Sequence, residues 1–287
     1  MYYGLIMLSV MIFGAGFALN DAYRKMRGSS LKISLQFSLV STIAGLIVFI
    51  FMNGMKIEFT PFTFLIALAK TVNGLVLTFC GFKALGKINL SLYSLFMMLG
   101  GMLLPFLQGI VFFGEAITIA KIICLVLISI ALLLTVEKGE KKSGTIYYIA
   151  IFVLNGMSGV LSKIFTAADF EKTTPEGLSI LSGFCGIAIV SVLLFIFFRK
   201  KDDTPKMTFA STCINAVIGI TNRLANNWLV IALAYVDACV QYPMVTGGTM
   251  IISTVIAFFG KNKPSAREIL AVSVSFAAML ALFLIPV

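Results

Sequence analysis

Residues 177–198 read GLSILSGFCGIAIVSVLLFIFF, a run without a single charge. That length matches the roughly 20 residues an α-helix needs to cross the ~30 Å hydrocarbon core of a bilayer. Ten such runs can be read, each closed by Gly, Pro or charge, at 3–22, 32–53, 62–85, 89–113, 119–136, 145–166, 177–198, 208–235, 238–259 and 266–285. No water reaches the hydrocarbon to satisfy backbone groups there, so only helices and closed barrels span it. The alternation of apolar and polar residues that a barrel strand carries is absent. The expected fold is therefore an all-α polytopic membrane protein with ten transmembrane helices. Of the 287 residues 60% are hydrophobic and 12% charged, with a mean hydropathy of +1.04, which no soluble domain keeps in water. The first residues, MYYGLIMLSV, carry no basic segment and no small-residue cleavage site, and read as a retained span rather than a signal peptide.

One long stretch occurs twice. Aligning 84–121 with 232–267 puts Ala84-Leu85 on Ala232-Leu233 and Gly100-Gly101 on Gly247-Gly248. Further along, Phe112-Phe113-Gly114 falls on Phe258-Phe259-Gly260 and Lys121 on Arg267. The duplication predicts a first five-helix repeat at 1–136, a cytoplasmic linker at 137–144, where charge, Gly and Ser concentrate, and a second repeat at 145–287. An odd number of spans per half makes the second repeat enter the membrane in the opposite sense, the inverted topology of many secondary transporters.

On these residues the chain resembles the drug/metabolite transporter superfamily, in its ten-helix EamA-like form. The five-plus-five layout, the Ala-Leu pairs and the element Phe113-Gly114-Glu115, with its counterpart Phe259-Gly260-Lys261, carry the likeness. Lys261 stands where that family usually has Glu, and Phe13-Gly14 where a Trp-Gly pair is common. The resemblance implies transport of a small molecule across a plasma or inner membrane by alternating access.

Basic residues set the expected orientation. The odd-numbered loops hold fifteen Lys and Arg, and the even-numbered ones only Lys56, Lys121 and Lys172. The positive-inside rule places the odd loops in the cytoplasm and both termini outside, whereas relatives of this type are thought to have both termini inside. The same rule accounts for the net charge of +10 without nucleic acid. A small-molecule substrate and the lipid bilayer are the expected partners, and the chain is expected to act as a monomer.

Charges within spans are costly and point to function. Lys70 and Arg223 lie near the middle of the third and eighth spans, while Lys83 and Lys163 sit near span ends, where a long side chain can snorkel to the interface. At ~100° per residue, Asn222 and Asn226 share a stripe of the eighth span with Asn215 and Gly219, Arg223 lies at its edge and Asn227 beyond it. Lys70 shares a face of the third span with Gly74, flanked by Asn73; Asn155, Gly159 and Ser162 line up on the sixth, with Ser158 beside them. Tyr242, Thr246, Thr249 and Ser253 line up on the ninth. The expected substrate site is Lys70, Asn73, Asn155, Ser158, Ser162, Asn222, Arg223, Asn226, Asn227, Tyr242 and Thr246; small and amide side chains also serve helix packing. Pro105 and Pro243 interrupt the fourth and ninth spans, as hinges or as inert kinks.

None of the twelve acidic residues falls at mid-span. A carrier of hydrophobic cations needs such a carboxylate, so the cavity should favour an anion, a zwitterion or an acceptor-rich neutral metabolite. Alternatives are a multidrug or organic-cation exporter of the same superfamily, a flippase for lipid-linked substrates, and a membrane scaffold or receptor. No cofactor or metal is expected: there is no His, and the five cysteines stand singly in apolar runs as small buried residues. Enzymatic activity is not expected either. Its only nominee is Ser158 or Ser162 with Lys163, and neither spacing makes the pair face one another on a helix.

Overall fold

Thr60-Pro61 and Thr174-Pro175 each start a helix for the same reason. Proline supplies a helical φ where its missing N–H costs nothing, and the threonine hydroxyl accepts a free amide of the first turn. In the computed structural model Thr60 Oγ1 accepts from the Thr63 N–H at 3.2 Å and Thr174 Oγ1 from the Gly177 N–H at 3.1 Å. Thr208 opens another helix through a reciprocal pair of hydrogen bonds with Ser211.

The structure describes residues 1–28, 30–85, 90–134, 145–197, 207–259 and 265–284. They form α1 (Tyr2–Arg27), α2 (Leu31–Met52), α3 (Pro61–Leu85), α4 (Leu90–Phe113), α5 (Ile119–Leu134), α6 (Thr145–Ala167), α7 (Pro175–Phe197), α8 (Phe209–Leu233), α9 (Ala238–Phe259) and α10 (Ala266–Leu284), with no strand among them. The linker at 137–144, Gly260-Lys261 and the Asp21 side chain lie outside the described residues. Helix α1 runs five residues beyond the span read from hydropathy. Arg24, Lys25 and Arg27 suit the negative end of its dipole, and Gly28, at φ 93°, ends it by donating to the Arg24 carbonyl at 2.7 Å.

Seven helices among the described residues carry an apolar stretch long enough to cross a bilayer, in α2, α3, α4 and α6 to α9; α1, α5 and α10 contain shorter ones. The outer surface is correspondingly greasy: Phe51, Val111, Phe112, Phe195 and Ile196 all stand exposed. Such a surface is stable in lipid and not in water. This is a multi-pass membrane protein.

Helix α5 packs against α10, and α1 lies between α8 and α9. Helix α2 meets α7 and α8, α3 meets α6 and α7, and α4 meets α6 and α9. Helices α4 and α6 approach closely, since a Cβ on Gly100 would collide with the Phe152 carbonyl. Backbones that near require glycine.

The connections α2–α3, α4–α5, α6–α7 and α8–α9 gather with the N-terminus at one end of the bundle, called here the Glu115 end. There Tyr2 stacks on Tyr235 with ring centroids 4.0 Å apart, and Phe62 packs on Phe170 at 5.1 Å. Glu58 accepts from the Thr174 N–H at 2.7 Å and its hydroxyl at 2.9 Å, with the amide bond foremost in holding the Glu58 carboxyl below the ordinary carboxylate range.

Candidate functional site

Eight helices, all but α5 and α10, surround a cavity of about 570 Å³. Lys70 lies nine residues from the Pro61 start of α3, and Arg223 ten residues from the Leu233 end of α8. Ile66 and Val230 share one apolar cluster, so those two ends are at the same level. At ~1.5 Å per residue both cations sit about 15 Å along their helices from the Glu115 end.

Lys70 Nζ donates to Ser162 Oγ at 2.7 Å. The Ser162 hydroxyl donates in turn to the Ser158 carbonyl at 2.9 Å. That hydrogen is directed at a carbonyl, which leaves the hydroxyl oxygen to accept from Lys70. Ser162, weighed with Lys163 from the sequence, thus has Lys70 as its lysine neighbour.

Arg223 crosses to α2 and α7. Its NH2 donates to Thr42 Oγ1 at 3.3 Å and its NH1 to the Ser179 carbonyl at 3.2 Å. Gly45 makes this path possible, since a Cβ there would occupy the place of the Arg223 Cδ. Both bonds are long and two of five guanidinium hydrogens are engaged by them, which leaves donor capacity for a guest. Among the described residues no carboxylate forms an ion pair with Lys70 or Arg223; Lys121 pairs with Asp237 at 2.9 Å and Lys163 with Glu115 at 2.6 Å, both at the Glu115 end.

Of the expected site residues, Lys70, Asn155, Ser158, Ser162, Asn222, Arg223, Asn226, Asn227, Tyr242 and Thr246 line the cavity. Asn73 does not. Its amide turns to α6 instead and donates to the Leu154 carbonyl and Ser158 Oγ, each at 2.9 Å, clamping the two helices. Asn155 lines the wall but spends its Nδ2 on the Met97 carbonyl of α4 at 2.6 Å. Asn227 is 2% exposed, held between Glu176 Oε1 at 2.8 Å and Ser179 Oγ at 3.3 Å. Asn226 is exposed and projects into the cavity. Tyr242 lies beside Pro105 and donates to the Gly159 carbonyl at 3.0 Å.

Thr42, Ser179 and Gln241 also line the wall, and the helix-by-helix reading missed them. Thr42 and Ser179 become visible only as partners of Arg223. Gln241 follows the α8–α9 corner and is fully buried, its Nε2 bonded to the Leu229 carbonyl at 3.0 Å. Lys163 was expected to reach the interface; it is 8% exposed and turns inward to Glu115. Cys213, expected to be buried, is exposed on α8. No three His, Cys, Asp or Glu side chains gather as a metal site among the described residues.

No family model and no curated protein matches the chain. One solved structure, described only as the crystal structure of a protein, resembles it with a TM-score of 0.74 over 96% of this chain and 94% of that one, at 15% identity. The likeness extends over nearly the whole length and concerns the fold alone.

Proposed function

We propose that the chain is a secondary transporter of the ten-helix drug/metabolite type, which moves a small anionic, zwitterionic or acceptor-rich metabolite across a plasma or inner membrane by alternating access. The observation that carries this reading is the central cavity with its two deep cations, neither ion-paired to a carboxylate among the described residues. A desolvated cation without a counter-charge is expensive, and a guest with a negative or acceptor end relieves that cost. Lys70 and Arg223 stand on α3 and α8, helices that correspond under the proposed repeat, so each half contributes one cation.

The packing pattern supports two inverted five-helix repeats. Adding five to each helix number turns the pair α1–α8 into α6–α3, α1–α9 into α6–α4 and α2–α8 into α7–α3, all of which are packed pairs. The pairs α2–α7, α4–α9 and α5–α10 map onto themselves. Ten spans of this kind put the Glu115 end, with few basic loops, outside the cell, and the fifteen Lys and Arg of the odd loops in the cytoplasm. The same cations disfavour an organic-cation exporter. A scaffold gains nothing from a polar cavity.

The test is uptake into proteoliposomes of a radiolabelled panel of anionic, zwitterionic and cationic metabolites. Saturable uptake confined to the first two classes is expected. Uptake of cations alone overturns the substrate class, and no uptake of any class overturns transport.

A further inference from the structure

The Phe113-Gly114-Glu115 element plays no part in the cavity wall, yet Glu115 is tied to more partners across the two halves than its loop position would require. Its side chain is 6% exposed. Oε1 meets Lys163 Nζ at 2.6 Å and accepts from the Ala238 N–H at 3.1 Å; Oε2 accepts from the Cys239 N–H at 3.0 Å. The carboxylate therefore caps the N-terminus of α9, where free amides and the helix dipole favour an anion. It reaches that position because the Glu115 N–H bonds the Gly109 carbonyl at 3.0 Å and because Gly109 has no side chain in the way.

Each partner leads to the cavity. Lys163 follows Ser162, the residue that holds Lys70, and one turn along α9 from Cys239 comes Tyr242, which meets Gly159 beside Pro105. The surrounding contacts at this end also join residues before 136 to residues after 145: Lys121 to Asp237, Glu58 to Thr174, Thr63 to Thr173, and Tyr2 to Tyr235. The aligned position in the other repeat holds Lys261, outside the described residues. An ammonium has no lone pair with which to accept helix amides, so the same device cannot be built there.

We infer that Glu115 is the positioning residue of a gate: by pinning α9 to α6 it holds the Glu115 end of the cavity shut, and this pair must break for the cavity to open on that side. The inference rests on the alternating-access reading. Opening follows from movement of α6 and α9 and not from titration. Burial pushes the Glu115 carboxyl up, but the Cys239 side chain, the Lys163 ammonium and the amides of Cys239 and Ala238 outweigh it and keep it below the ordinary carboxylate range. A carboxyl held below its ordinary range is ionised near neutral pH; the other charged and titratable groups around it are Cys239, Lys121, Asp237 and Tyr242.

A single cysteine reports the gate without any substrate. Gly74 lines the cavity, and a side chain there meets nothing within 4 Å. Gly74→Cys is placed in full-length protein with Cys80 and Cys213 changed to Ser, reconstituted in vesicles of known orientation and treated with a membrane-impermeant maleimide from the Glu115 side. Slow labelling is expected in this parent, and labelling at least fivefold faster after Glu115→Gln or Lys163→Met. Each variant breaks the pair from one side, so either one that still unfolds cooperatively well above the labelling temperature decides the matter. Labelling from that side that is already fast in the parent, or unchanged in a folded variant, overturns the gate. Because no substrate enters the assay, its failure is distinct from failure of the transport reading, which the uptake panel tests.

Discussion

Lys70 Nζ and Ser162 Oγ, 2.7 Å apart, join the third helix to the sixth inside the cavity, and no carboxylate takes part in the bond. A serine hydroxyl satisfies one hydrogen of the ammonium and none of its charge. The same holds for Arg223 with Thr42 and the Ser179 carbonyl. Both cations are held in place by neutral groups, which keeps the positive potential available to a guest.

Arg223→Gln is expected to lower the initial rate of anion or zwitterion uptake at least tenfold, since losing one side of a desolvated charged contact costs ~2–5 kcal/mol. Lys70→Met should act in the same direction. Lys83→Met, an exposed lysine stacked near Phe79, should leave uptake within twofold of the parent. Rates are compared at matched reconstituted protein, with thermal unfolding recorded; unchanged uptake in both cavity variants would make the cations structural.

Gly45→Leu should displace the Arg223 stem from α2. A loss of ~1–3 kcal/mol of stability is expected from overpacking, together with the transport defect of Arg223→Gln. Gly4→Ala, which meets nothing within 4 Å, serves as the control and should be neutral in thermal unfolding. Equal unfolding temperatures for the two would contradict the packing described for Gly45.

Stability should depend on Glu115 with a definite sign. A carboxyl held below its ordinary value contributes stability above the unfolded-state value of about 4.5, and loses it as pH falls through the lower folded-state value. The difference in unfolding temperature between parent and Glu115→Gln should thus stay constant from pH 8 to 5 and narrow only below about 4.5. A difference that collapses between pH 7 and 6 would mean the carboxyl titrates near neutrality.

Orientation can be read by cysteine labelling in intact cells. Cysteines at Met1 and Glu171, exposed at the Glu115 end, should react with an impermeant reagent from outside, and those at Met26 and Thr208, at the opposite end, should not. The reverse pattern would show that the basic loops face outward.

Hydropathy and charge determined much on their own. Runs of apolar residues bounded by Pro, Gly and charge fixed where helices lie, because lipid leaves the backbone no other way to satisfy its hydrogen bonds. Helical spacing also brought Lys70, Ser162, Arg223 and Asn226 to faces that do line one cavity. Spacing reports a face and not its neighbour, and that is where the sequence stopped. Asn73 lies beside the Lys70 stripe but reaches α6, and Lys163, read as an interfacial lysine, meets a glutamate 48 residues earlier in the chain. Thr42 and Ser179 are ordinary small polar residues until the Arg223 side chain arrives over Gly45. Such pairings depend on which helices lie side by side and at what depth. That is decided by the packing of glycines such as Gly100 against a backbone carbonyl on another helix, a long-range fit that no local periodicity encodes.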